Sequence, residues 1–202
     1  MTADTIWHLV REIDPHYSLS PSELKFVLRY AVRVPPHSVM LELGVCHGRT
    51  FAALALAAMA TDSRVFGIDH FGLEGSGEEV RESLRQRGIT NWTLFEANTH
   101  DMGWKTPIDL LVVDAGHDVA NVKPDIEDYV PHVKPGGYVF FDDYDEPYDP
   151  DSPHWAVRHY ADLACGNWEP LDTGRYWWQK PFLRNDLPKG MVDGMKGWRR
   201  PQ

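Results

Sequence analysis

Apolar and polar positions along this chain fall into blocks whose period changes. Residues 4–13 place Ile6, Trp7, Leu9, Val10 and Ile13 at the spacing of a short amphipathic helix. Ser20-Pro21-Ser22-Glu23 is a helix start, with a cap, a proline at the first position and a glutamate three residues after the cap. That helix is expected to run to about Arg33, and Pro35-Pro36 ends it. A regular alternation follows. Apolar runs at 39–43, 64–68, 92–96, 108–113 and 137–141 predict strands, and helical patterns at 50–60, 78–87 and 119–130 fall between them. Strands separated by helices make βαβ units and a mostly parallel sheet. Runs such as Leu110-Leu111-Val112-Val113 need cover on both faces. Beyond Tyr144, residues 154–163 look helical, and 168–171 and 175–179 flank an Asp172-Thr173-Gly174 turn as a hairpin. The expectation is an open α/β sheet closed by an antiparallel pair. Residues 181–202 hold proline, glycine and charge, and read as an irregular tail.

Composition narrows the class. With 202 residues the chain is one domain with appendages. Thirty acidic against 20 basic residues give a net charge of −10, which opposes binding of bare nucleic acid and of anionic lipid. Cys46 and Cys165 form no CxxC, so neither a disulfide scaffold nor a zinc ribbon is expected. The N-terminus has acids and no apolar stretch of signal-peptide type, and the longest apolar run, 51–60, is too short to span a bilayer. A cytoplasmic, reduced protein is expected, without nucleic-acid or membrane partners.

In such a sheet ligands bind beyond the carboxyl ends of the strands, near the point where strand order reverses. The first strand runs into Glu42-Leu43-Gly44-Val45-Cys46-His47-Gly48. A dinucleotide fingerprint needs glycines at offsets 0, 2 and 5. Those positions hold Gly44, Cys46 and Arg49, so the fingerprint fails. The second strand ends at Asp69, placed to accept from two ribose hydroxyls, and the third ends in Glu96-Ala97-Asn98-Thr99-His100, polar groups suited to a base edge.

These segments, LELGVCHGRT, VFGIDHF, IDLLVVDAGH and VKPDIEDYVPHVKPGGYVFFDDY, resemble the class I S-adenosylmethionine (SAM) methyltransferases over about residues 39–180. The lysine-proline-glycine-glycine turn before the fifth strand is the most specific of them, and Cys46 stands where the family usually has its middle glycine. The resemblance implies a Rossmann-like, seven-stranded, mostly parallel sheet with a C-terminal antiparallel hairpin and helices on both faces. It implies an N-terminal helical cap at 1–35, a methyltransferase domain at 36–180 and the tail at 181–202. Gly44 and Gly48 would border the methionine part of SAM, Asp69 would hold the ribose, and Asn98 or Thr99 would lie near adenine. Glu42, Val45, Cys46, His70 and Asp114 complete the implied cofactor set.

Asp114 ends the fourth strand and Asp142-Asp143 the fifth, so adjacent parallel strands would gather three carboxylates. Such a cluster resists full ionisation unless a cation joins it, and oxygen ligands suit Mg²⁺ or another hard divalent ion. Methyltransferases of the catechol and macrocin O-methyltransferase type are similar in placing a metal at these positions. By the same resemblance His117, three residues past Asp114, stands where their base lies, and Asp114 shares the catalytic role. The bland readings are a solvated acidic loop and a helix-capping histidine. His47 and His100 also follow strands, with no partner named by the sequence. The expected activity is metal-assisted O-methylation of a small hydroxyl compound, a catechol or sugar diol. Its rivals are a metal-free methyltransferase, a nicotinamide-dependent oxidoreductase and a non-catalytic nucleotide-binding module. Nothing in the pattern decides between a monomer and a homo-oligomer.

Overall fold

The computed structural model describes residues 1–14, 16, 18–72, 75–144, 155–172, 191–192 and 194–202. Its elements are α1 (Ala3–Val10), α2 (Pro21–Ala31), β1 (Val39–Leu43), α3 (Arg49–Met59), β2 (Arg64–Asp69), α4 (Gly77–Gln86), β3 (Trp92–Glu96), β4 (Ile108–Val113), α5 (Val119–Tyr129), β5 (Val133–Phe141), α6 (Trp155–Cys165), β6 (Glu169–Pro170), β7 (Met191–Val192) and β8 (Met195–Arg199). Seven strands stand in the order β3-β2-β1-β4-β5-β8-β6, and β7 pairs with β8 at the side. β1 to β5 are mutually parallel, whereas β8 runs antiparallel to β5 and β6.

β1 lies between β2 and β4, so the chain moves outward one way through β2 and β3, then crosses back to β4. The carboxyl ends of β1 and β4 therefore flank the crevice where ligands bind in such sheets. Leu41, Leu43, Leu110, Leu111 and Val112 are fully buried because both sheet faces are covered. One face packs on α1, α2 and the alanine-rich α3, with Phe26 edge-on to Phe140 at 5.3 Å. The other packs on α5 and α6 around Tyr129 and Phe141.

Local sequence explains the ends. In α2 the Ser20 hydroxyl accepts the Glu23 N–H while Glu23 Oε2 accepts the Ser20 N–H at 2.8 Å, a complete capping box. The expected first helix stops at Val10. Ile13 is buried in the segment beyond it, where its carbonyl accepts from the Arg49 guanidinium, which also stands 5.8 Å over Trp7. That bond draws the N-terminal segment toward the start of α3.

Three features differ from the sequence reading. β5 begins at Val133, so the Lys134-Pro135-Gly136-Gly137 turn lies inside the strand as a register break against β4, with Gly136 at φ +79°. The tail is not irregular throughout, because Met195–Arg199 is a buried strand paired with β5. The antiparallel closure therefore comes from β8; of the expected hairpin, the arm at 175–179 lies outside the described residues. Among the described residues no helix is long and apolar enough to cross a membrane.

Candidate active site

A cavity of about 900 Å³ opens at the carboxyl ends of β1, β2, β3, β4 and β5. Glu42, Gly44, Val45, Cys46, Asp69, His70, Asn98, Thr99, Asp114, His117, Asp142 and Asp143 all line it. Gly48, His47 and His100 do not. Gly48 instead caps α3 at φ +83°, where a Cβ would meet Val80 Cγ1 at 2.9 Å.

The first loop is shaped by backbone demands. Gly44 sits at φ +82°, and a Cβ there would run into the Asp114 backbone. Cys46 holds φ +48°, a conformation that costs an L-residue energy. Asp69 stabilises the turn: its Oδ2 accepts from the Val45 and Cys46 N–H groups at 2.7 and 2.8 Å, and its Oδ1 from Phe71 N–H at 2.6 Å. The carboxylate expected on a ribose thus also folds the loop. His70 turns back in the same way, its Nδ1 accepting from Gly72 N–H at 2.7 Å.

The buried acidic groups lie on and beyond β1, β4 and β5. The Glu42 carboxyl is buried, which pushes its pKa well up, with Asp69 adding repulsion. Its Oε2 has no hydrogen-bond partner among the described residues. Burial and the neighbouring Asp142 charge likewise raise Asp114 well above the carboxylate range. Asp142 is pushed up to about 7 by burial and by Glu23. The two aspartates share a hydrogen bond, and burial raises both. Asp143, at φ +52°, turns elsewhere: its Oδ2 is 3.0 Å from His117 Nδ1, while His117 Nε2 stands 3.9 Å from Asp114 Oδ1. The three expected metal ligands are neighbours, but they are arranged as a carboxyl pair beside a histidine–aspartate dyad. Among the described residues no group of three or more His, Cys, Asp or Glu is set to hold a metal ion.

Other lining residues had no place in the sequence reading: Ser18, Thr50, Asp118, Asn121 and Asp125. Thr50, in the first turn after the glycine loop, and Asp118, the N-cap of α5, carry readable signals. Ser18 comes from the N-terminal segment and carries none. Tyr144, just past the Asp142–Asp143 pair, is core, 3% exposed and donating from its hydroxyl to Asp162 at 2.7 Å.

The family profile of the methyltransferase domain matches residues 41–144, half of the chain. The chain belongs to this family. No curated protein matches its sequence. Among solved structures it is similar to the O-methyltransferase TomG of Streptomyces achromogenes, involved in tomaymycin synthesis and solved with SAM, at 23% identity over 81% of this chain and 77% of that one, TM-score 0.54. The S-adenosylhomocysteine (SAH)-bound methyltransferase PaMTH1 of Podospora anserina shares 17% identity over 99% and 87%, TM-score 0.61. A SAM-dependent O-methyltransferase of Thermotoga maritima shares 14% over 98% and 71%, TM-score 0.61. At these identities the likeness is one of fold.

Proposed function

We propose that the protein is a SAM-dependent O-methyltransferase acting on a small hydroxyl compound, a catechol or a sugar diol. The observation that carries this is the His117–Asp143 contact at 3.0 Å, past the ends of β4 and β5, whereas Asp69 ends β2 on the other side of β1. In this reading the sulfonium donor lies along Gly44, Asp69 and Asn98, and the acceptor lies over the ends of β4 and β5. Donor binding draws support from TomG and PaMTH1, which hold SAM and SAH.

The dyad gives the chain a base of defined tautomer. Asp143 accepts from Nδ1–H, which leaves Nε2 as the basic nitrogen, and the carboxylate stabilises the imidazolium that forms. In this reading Nε2, enclosed in the structure as it stands, would take the acceptor proton, and the acceptor oxygen would displace SAH in line, the C–O bond forming as the donor's C–S bond breaks. Position and electrostatics do the rest, in a cavity whose described lining holds acids and no lysine or arginine.

A divalent cation would be held by the crowded carboxyl oxygens of Asp114 and Asp142, a donor type that suits a hard ion, and Asp143 would have to leave His117 to join them. Mg²⁺ there would supply a Lewis acid for the acceptor oxygen. The metal-free alternative rests on the same dyad and on the hydrogen bond between Asp114 and Asp142. The test is methyl transfer from labelled SAM to a panel of catechols and sugar diols, titrated with EDTA and Mg²⁺. Activity that EDTA abolishes and Mg²⁺ restores supports the metal. Full activity in EDTA, or in Asp142→Ala/Asp143→Ala, removes it. Full activity in His117→Ala refutes the base.

A further inference from the structure

Asp125 sits on the inner face of α5, one helical turn from Val122 and Tyr129, and is fully buried. Neither of its oxygens has a well-formed hydrogen bond among the described residues. A buried carboxylate left in that state weakens a fold. Burial drives its pKa up to about 6, against the downward pull of the Thr99 hydroxyl and His100.

The groups facing Asp125 come from two places. From the 3-10 turn after β3, residues Thr99–Asp101, come the Thr99 hydroxyl and His100, whose Nε2 is 3.4 Å from Oδ1. From α5 come Asp128 and Tyr129. His100 Nε2 also lies 3.2 Å from the Asn121 carbonyl, so this nitrogen carries the proton. Tyr129 donates to the Thr99 carbonyl at 2.6 Å. The turn is thus tied to α5 at three points, and Asn98 and Thr99 on one side and Asn121 and Asp125 on the other all line the cavity.

We propose that Asp125 is a positioning residue for the nucleoside half of the methyl donor: acting through Thr99 and His100, it holds the turn after β3 at the distance from α5 that admits a nucleobase. The inference rests on the reading that a nucleoside donor occupies this end of the cavity. Asparagine at 125 would keep the shape and remove the charge, so stability and ligand affinity should move apart.

The experiment is calorimetric titration of SAH and of adenosine into the wild type, Asp125→Asn, His100→Ala and His100→Gln, with the melting temperature of each at pH 8. Asp125→Asn is expected to melt no lower than the wild type yet to bind SAH about tenfold more weakly, the loss of one charge-assisted contact. Adenosine should weaken by the same factor. His100→Ala should lose similarly, and His100→Gln, whose amide N–H can replace Nε2–H, should recover most of the affinity. Unchanged SAH affinity in Asp125→Asn, a loss of affinity matched by a fall in melting temperature, or a loss that spares adenosine would each overturn the proposal. Should Asp125→Asn not fold, the His100 pair decides, and SAH affinity unchanged in His100→Ala refutes it. A wild type that binds no SAH instead removes the donor reading itself.

Discussion

Gly44→Ala tests whether the glycine loop is locked to the end of β4. Gly44 has φ +82°, and an L-residue there costs about 1–2 kcal/mol from its own backbone. The added Cβ would also stand 2.5 Å from the Asp114 carbonyl carbon and 2.8 Å from Ala115 Cα. Carbon atoms pack at about 3.5–4.0 Å, so one chain segment must retreat by about 1 Å. Retreat is resisted because Asp114 N–H donates to the Leu43 carbonyl at 2.9 Å and Gly44 N–H to the Ile68 carbonyl at 3.0 Å. Overpacking of this kind adds about 1–3 kcal/mol, for a total of about 2–5 kcal/mol. Gly88→Ala is the control: φ is +67°, nothing lies within 4 Å of its Cβ, and only the backbone cost applies. Urea unfolding of both variants at pH 7 reads the difference. At about 2–4 °C per kcal/mol for a chain of this length, Gly44→Ala should also melt clearly below Gly88→Ala. Equal losses in the two variants would refute the lock.

Three further outcomes are expected. Tyr144→Phe removes the donor to Asp162 beside the Asp142–Asp143 turn and should cost about 1–2 kcal/mol in urea unfolding. Asp125, raised from 3.8 to about 6 in the fold, stays protonated there at a pH where the unfolded chain has released its proton. Its contribution to stability therefore falls as pH rises from about 4 to about 6, by up to about 3 kcal/mol, and stays lost above that. Urea midpoints from pH 4 to 8 should show this drop in the wild type relative to Asp125→Asn. Cys165 is fully buried with its thiol pushed up to about 12, so a thiol reagent at pH 8 should modify Cys46 in the native protein and reach Cys165 only on unfolding.

The parallel strands were legible because burial on both faces writes them as unbroken apolar runs, and α2 because its capping box is local. β8 was not. Its sequence, Met-Lys-Gly-Trp-Arg, reads as polar until Tyr144 and Trp198 are placed around Lys196, with the ammonium 5.1 and 5.2 Å from their ring centroids. Its Gly197 is needed because a Cβ there would meet Phe140 and Leu171 at 2.9 Å, neighbours far away in the chain. The site divides in the same way. Strand ends announced which residues would gather, because topology alone carries them there. How they pair was not announced, since the turning of Asp143 toward His117 depends on a positive φ that no pattern encodes.

Asp125 escaped notice for another reason. On an amphipathic helix an acid is assigned to water by default, yet here it occupies the apolar stripe of Val122, Ile126 and Tyr129, all of them buried. An asparagine at that position would avoid the buried charge. The stripe's one acidic interruption among these residues faces the Thr99 hydroxyl and His100 rather than apolar neighbours. What it does has to be sought on the side it faces, in the cavity wall made by Asn98 and Thr99.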